Sequence, residues 1–271
     1  MAERSGADVK KGRVLAIAGS DSGGGAGIQA DIKTITALGG YAMTAITAVT
    51  IQNTLGVFGI HPIPPDVVRE QIEKVLGDLG ADALKIGMLG DAETVEAVAR
   101  AIEHSYIPIV LDPVMIAKGG AALLEDDAVE ALKLSLLPQA FIITPNAPEA
   151  ERLTGMPVRN LEEQKRAAEA LVKLGAGAAL VKGGHLYGAT LNDVLASASG
   201  VEVFASERIS TRATHGTGCT LASAIATGLA RGAKLRDAVV AARAYLRGAI
   251  MTAQGFGAGH APLNHGWVIK S

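Results

Sequence analysis

The sequence predicts an α/β fold of three layers, a mostly parallel central sheet with helices on both faces. Two observations carry this. Short apolar runs rich in Ile, Val and Ala alternate with longer stretches of helical period, the βαβα rhythm of a parallel sheet. The runs are also continuously apolar, as strands buried on both faces are. Hydrophobic residues make up 49% of the 271 and aromatics only 3%, so the core is expected to be large and aliphatic.

Taken in order, residues 1–12 are polar and lack an apolar stretch. They read as a flexible tail rather than a signal peptide. The first strand is expected at 14–18, followed by a helix with the stripe Ile28, Ile32, Ile35 and Leu38. Further strands are expected at 45–51, 83–86, 109–111, 141–144 and 178–181, each bounded by Gly, Pro or polar residues. Val95, Val98, Ala99 and Ile102 recur at helical spacing, and segment 162–174 puts Ala167, Ala170, Leu171 and Leu174 on one face. The rhythm breaks at 190–211. There, 190–196 and 201–206 flank Ser199-Gly200, as a hairpin or a pair of edge strands would. Helices at 219–230 and 235–252 complete the chain. No linker, repeat or low-complexity segment interrupts residues 13–271, which read as a single domain.

Composition excludes several functions. The net charge is −2 with no basic block, which argues against a nucleic-acid partner. No apolar run reaches the ~18 residues of a membrane span. Cys219 is the only cysteine, so no internal disulfide exists and a reducing cytoplasm is the expected location. The six histidines show no zinc spacing and no G-x-S-x-G elbow is present.

In such sheets ligands bind beyond the carboxyl ends of the strands, so the residues that follow each run matter most. After the first run comes Gly19-Ser20-Asp21-Ser22-Gly23-Gly24-Gly25-Ala26-Gly27, with five glycines in nine residues. It matches neither G-x-G-x-x-G nor G-x-x-x-x-G-K-[ST]. Asp31 falls within the apolar stripe of the next helix. A carboxylate there is either paired in the core or aimed into a site, and the rarity of buried unpaired acids favours the site. The run 45–51 ends in Gln52-Asn53-Thr54, whose amides suit a ring with donors and acceptors or cap a turn. Met88 follows the run 83–86 and is by default a core filler. Asp112 ends the run 109–111, ahead of Lys118-Gly119-Gly120; Asn146 and Glu149 follow the run 141–144 at a helix start. Asp112 and Glu149 would suit Mg²⁺, which is held through one or two carboxylates plus phosphate and water. Lys182, before Gly183-Gly184-His185, is placed to reach a phosphate or solvent. Finally, Thr214-His215-Gly216-Thr217-Gly218-Cys219 leads into a helix of small residues. Such a turn presents free N–H groups and the positive dipole end to an anion, and the thiol pKa of Cys219 is expected to fall there.

Together these segments resemble the hydroxymethylpyrimidine/phosphomethylpyrimidine kinases of thiamine biosynthesis. The resemblance runs through Ala16–Ser22, Gly24–Asp31, Gln52–Thr54, Lys85–Leu89, Leu111–Met115, Ile143–Asn146, Lys182–His185 and Thr214–Cys219. It implies a ribokinase-like fold, a homodimer, and ATP with Mg²⁺ as donor in two successive phosphorylations of the pyrimidine. It further implies that Gly19, Asp31, Gln52 and Met88 meet the pyrimidine. Asp112, Asn146, Lys182 and Thr217 would serve the ATP phosphates, and Asp112 and Glu149 the metal. Gly216, Gly218, Cys219 and Lys182 would form the catalytic group. Related sugar kinases carry Asp where Cys219 stands. The rivals are a pyridoxal kinase on the same scaffold, against which Gln52 argues, and a non-catalytic pyrimidine-binding protein, which would need no phosphoryl-transfer residues.

Overall fold

The computed structural model describes residues 12–116, 123–186 and 188–269. The expected tail, apart from Gly12, and the segment Lys118-Gly119-Gly120 lie outside them. In chain order the elements are β1 (Arg13–Asp21), α1 (Gly27–Ala37), β2 (Tyr41–Asn53), β3 (Gly56–Pro62), α2 (Pro65–Asp78), β4 (Ala83–Ile86), α3 (Ala92–Ile102) and β5 (Ile109–Leu111). Then follow α4 (Asp126–Ala131), β6 (Ile142–Ile143), α5 (Ala147–Thr154), α6 (Leu161–Lys173), β7 (Ala178–Val181), β8 (Thr190–Ser197), β9 (Gly200–Glu207), α7 (Thr217–Ala230) and α8 (Leu235–Met251).

The nine strands among the described residues form one sheet in the order β3-β2-β1-β4-β5-β6-β7-β8-β9. The run from β2 to β7 is parallel, while β3 and the β8–β9 hairpin pair antiparallel at the two ends. Side chains alternate across each strand, so one sequence run feeds two cores. Leu15, Ile17, Leu84, Ile86 and Leu111 pack under α2, α3, α5 and α6. Val14, Ala83, Val110 and Leu180 pack under α1, α7 and α8. This is why the buried runs carry no hydrophobic–polar alternation. The chain leaves β1 for β2 on one side and later returns to β4 on the other. That reversal opens a crevice at the carboxyl end of β1.

Four sequence expectations need correction. Ile32 is 40% exposed, and α1 instead buries Ile28, Ala30, Asp31, Thr34 and Ile35. Leu174 is exposed, and α6 buries Gln164, Ala167, Ala168 and Leu171 instead. The run 141–144 contributes only Ile142–Ile143 to the sheet. The run 45–51 belongs to a longer strand whose far half leaves the covered part of the sheet. There Val49 and Ile51 are exposed and pair with His61 and Gly59 of β3, a strand the sequence did not signal.

Candidate active site

A cavity of about 560 Å³ opens along the carboxyl ends of the strands and the first turn of α7. Gly19, Gln52 and Met88 line it, as do Asp112, Asn146, Glu149 and Lys182 together with Gly216, Thr217, Gly218 and Cys219. Asp31 is the one expected site residue that is absent from the lining. Its side chain is fully buried, paired with Lys85 at 3.0 Å and accepting a 2.7 Å hydrogen bond from Ser223. The expectation that Asp31 meets the substrate is therefore corrected: in the core it is a partnered acid.

Two residues without an assigned role shape the cavity beside Gln52. Asp21, at the end of β1, accepts backbone N–H bonds from Gly23, Gly25 and Ala26 at 2.8–2.9 Å. It also accepts from His215 Nε2 at 2.8 Å, which ties the glycine loop to the turn before α7. Burial opposes its charge, but the bonds from His215, Ala26 and Gly23 outweigh that and hold its pKa below the ordinary value. The sequence did carry a signal: an aspartate among five glycines is where a carboxylate gathers backbone N–H groups. Gln52 takes a hydrogen bond on Oε1 from Thr50 at 3.1 Å and brings its amide nitrogen 3.5 Å from His215 Nε2. An acid at 2.8 Å claims the proton on that ring nitrogen, so the Gln52 amide keeps its N–H groups for a ligand.

Lys182 Nζ lies 2.9 Å from Asp112 Oδ1, which also accepts from Thr144 at 3.2 Å. Asn146 and Glu149 cap α5 reciprocally. Asn146 Oδ1 accepts from the Glu149 N–H at 2.9 Å, and Glu149 Oε2 accepts from the Asn146 N–H at 2.7 Å. Burial opposes the charge on Lys182, but Asp112 and Glu149 more than offset it and its pKa is raised. Burial pushes the Glu149 carboxyl up to about 7, with Asp112 adding to the rise and Lys182 opposing it. Gly218 is tight against this group: a Cβ there would stand 3.3 Å from both Asp112 Oδ2 and Lys182 Nζ. The N–H-rich turn and the charged cluster are thus one surface.

Cys219 departs from expectation. Burial pushes its thiol up to about 11, and Asp31 and Asp112 add to the rise while Lys85 and the Gly27 N–H oppose it. The helix N-terminus does not outweigh desolvation beside two acids.

For Mg²⁺, the donor set fits. Asp112 and Glu149 offer hard oxygen ligands, and Asp112 adds to the rise that burial imposes on the Glu149 carboxyl, a rise that a cation between the two acids would oppose. Among the described residues no cluster of three or more His, Cys, Asp or Glu forms a metal cage. A carboxyl with a folded pKa above its unfolded value stabilises the fold while protonated. That contribution is full below 4.5 and lost as pH rises to about 7. Without Mg²⁺, the melting temperature of wild type minus that of Glu149→Gln is therefore expected to fall across this window. A difference that rises or stays flat in calorimetry would refute the buried-acid reading.

The family model described as "Phosphomethylpyrimidine kinase" matches residues 21–264. The chain is 51% identical over 256 residues to the "Thiamine biosynthesis bifunctional protein ThiED" of Geobacter sulfurreducens, covering 94% of this chain and 52% of that longer protein. It is 49% identical over 255 residues to the "Hydroxymethylpyrimidine/phosphomethylpyrimidine kinase" of Bacillus subtilis, covering 93% and 94% of the two chains. Among solved structures, an ADP complex of Bacillus subtilis pyridoxal kinase superposes with a TM-score of 0.89 at 36% identity, over 96% of this chain and 100% of that one. The expected ribokinase-like fold is present. Identity over nearly the whole chain is higher to the pyrimidine kinases than to the pyridoxal kinase, and the chain belongs to the phosphomethylpyrimidine kinase family.

Proposed function

We propose that the protein transfers phosphate from ATP, with Mg²⁺, to the hydroxymethyl group of 4-amino-5-hydroxymethyl-2-methylpyrimidine. It then phosphorylates the monophosphate to the diphosphate, in cytoplasmic thiamine biosynthesis. The observation that carries this reading is one cavity holding both an amide for a polar ring, Gln52, and an anion turn, 216–219, against Lys182 and Asp112. The acceptor hydroxyl loses its proton to the thiolate form of Cys219, and its oxygen bonds to the γ-phosphorus. The bond from that phosphorus to the ADP oxygen breaks, and the electron pair leaves with ADP. The N–H groups of 217–219 and Lys182 receive the charge of the transferring group. Asp112 and Glu149 would hold Mg²⁺, which supplies charge neutralisation at the phosphates.

The test is an acceptor panel with ATP and Mg²⁺ read by mass spectrometry. Successive mono- and diphosphate of the pyrimidine are expected. Much faster phosphorylation of pyridoxal would move the assignment to the rival activity.

Gln52→Leu is expected to weaken pyrimidine binding by ~1–3 kcal/mol, because the buried ring loses a hydrogen-bond partner. ATP affinity should hardly change. Equal weakening of both ligands in calorimetry would make Gln52 a structural residue.

A homodimer is part of the same reading. Strands β2 and β3 leave Val49, Ile51, Phe58 and Ile60 exposed, with Val49 and Ile51 on one face and Ile60, paired with Thr50, on the other, apolar side chains of the kind a second copy covers. Phe58→Glu is expected to give a monomer in sedimentation, and an unchanged sedimentation coefficient would remove these strands from the interface.

A further inference from the structure

Where β7 leaves the sheet, a carboxylate takes over from the strand ladder. The pairing of β7 with β8 ends at Val181 and Val194. Beyond it the two segments stay pressed together, since a Cβ on Gly183 would stand 2.0 Å from the Asn192 carbonyl oxygen. Yet the buried Gly183 N–H donates to a side chain, Asp193 Oδ1, at 3.0 Å. On β8, Val194 and Ala196 face one core and Leu195 the other, so Asp193 shares the side of Leu195, toward α8. There Arg243 Nε lies 2.7 Å from Asp193 Oδ2. Arg243 is itself anchored, donating to the Phe204 carbonyl oxygen at 2.9 Å and lying over the Phe204 ring. Asp193 and Arg243 border the cavity, but both Asp193 oxygens are taken up within the protein. A buried ion pair adds little stability over an apolar pair of the same volume, so stability alone does not account for this one.

Lys182 sits between these fixed points. In the peptide before it, the Val181 carbonyl accepts from Gln164 Nε2 at 2.7 Å and the Lys182 N–H donates to the Pro145 carbonyl at 2.8 Å. The peptide after it is held through the Gly183 N–H on Asp193. The two peptides set the backbone angles from which the Lys182 side chain reaches Asp112 and the turn at Gly218. We propose that Asp193, fixed by Arg243, is a positioning residue that aims Lys182 at the transferring phosphoryl group. Without that acceptor the buried Gly183 N–H must turn to find another, and the tilt of its peptide carries the Lys182 ammonium off line. A misplacement of ~1 Å at a reacting centre can cost ~10²-fold in rate.

This inference rests on the phosphoryl-transfer reading, and the experiment separates the two. Replacing Asp193 alone strands the Arg243 charge and risks unfolding, so two charge-free double variants are compared with each other. Asp193→Asn with Arg243→Met keeps an oxygen for the Gly183 N–H, and Asp193→Leu with Arg243→Met does not. Both lack the ion pair, so whatever it contributes to the fold is lost equally from each. With saturating substrates, below the melting range of both, the Leu form is expected to turn over ~tenfold more slowly than the Asn form. The KM for the pyrimidine should be the same in both, because Gln52 is untouched. Affinity for the β,γ-methylene analogue of ATP, read by calorimetry, should be several-fold weaker in the Leu form. That reading needs no acceptor, so it decides the positioning role even where wild type phosphorylates no pyrimidine, a result that would remove the proposed function instead. Equal analogue affinity in the two forms, equal turnover, or a loss confined to the pyrimidine KM overturns the proposal. Should the Leu form not melt cooperatively, Asp193→Ala with Arg243→Met takes its place and is read in the same way.

Discussion

Cys219→Ala is expected to lower turnover by ~10²–10⁴, the usual cost of losing a general base, while both substrates still bind. Phosphoryl transfer passes through a loose transition state, so positioning and charge stabilisation do most of the work. The backbone N–H groups of the turn survive this substitution, and only the proton acceptor is lost. The sign of the pH dependence follows from the thiol. With its pKa pushed up to about 11, the thiolate is the minor form at neutral pH. Wild-type turnover should therefore rise between about pH 7 and 9, approaching tenfold per unit. Cys219→Ala should be flat over that range. Cys219→Asp should keep some activity and lose the rise, because a carboxylate is already ionised there. The measurement is kcat against pH for the three proteins, with binding followed separately by calorimetry. An alanine variant within a few-fold of wild type would show that Cys219 only lines the anion turn.

The strands beyond which the site lies were legible because each is short, doubly buried and closed by polar residues. Ala83–Ile86, Ile109–Leu111 and Ala178–Val181 have the bounds the sequence suggests. β3 was not legible, since its Phe58 and Ile60 are exposed at a sheet edge, its Val57 is only half-buried, and no burial pattern marks them. Asp31 misled for a related reason. Its place in the apolar stripe showed that it is buried, but the partner that neutralises it lies 54 residues away on β4, and no local pattern joins the two. Asp21 and His215 were visible only as members of glycine-rich motifs, because their pairing spans 194 residues. The thiol pKa of Cys219 was misjudged because local sequence shows a helix start but not the acids that the fold brings beside it.

Gly216→Ala tests whether the contact between the two glycine-rich segments holds the anion turn in place. Gly216 has φ +82°, and a Cβ there would lie 1.8 Å from the Gly25 carbonyl oxygen. Alanine pays ~1–2 kcal/mol for the left-handed backbone alone, and the collision forces the turn at 216–219 away from the loop at 19–27. The N–H groups then lose their aim at the transferring phosphoryl, where one lost donor costs ~10²–10³ in kcat. The Asp21–His215 bond, which joins the same two segments, is strained as well. Gly216→Ala is therefore expected to lose turnover by that factor and to melt several degrees earlier. Gly218→Ala gives the contrast. Its Cβ would meet only Asp112 and Lys182 side-chain atoms at 3.3 Å, so the melting temperature should hold while phosphate crowding raises the KM for ATP. Paired melting curves and steady-state kinetics separate the two outcomes. A Gly216→Ala protein with wild-type melting and turnover would mean that the turn keeps its geometry without support from the Gly25 segment.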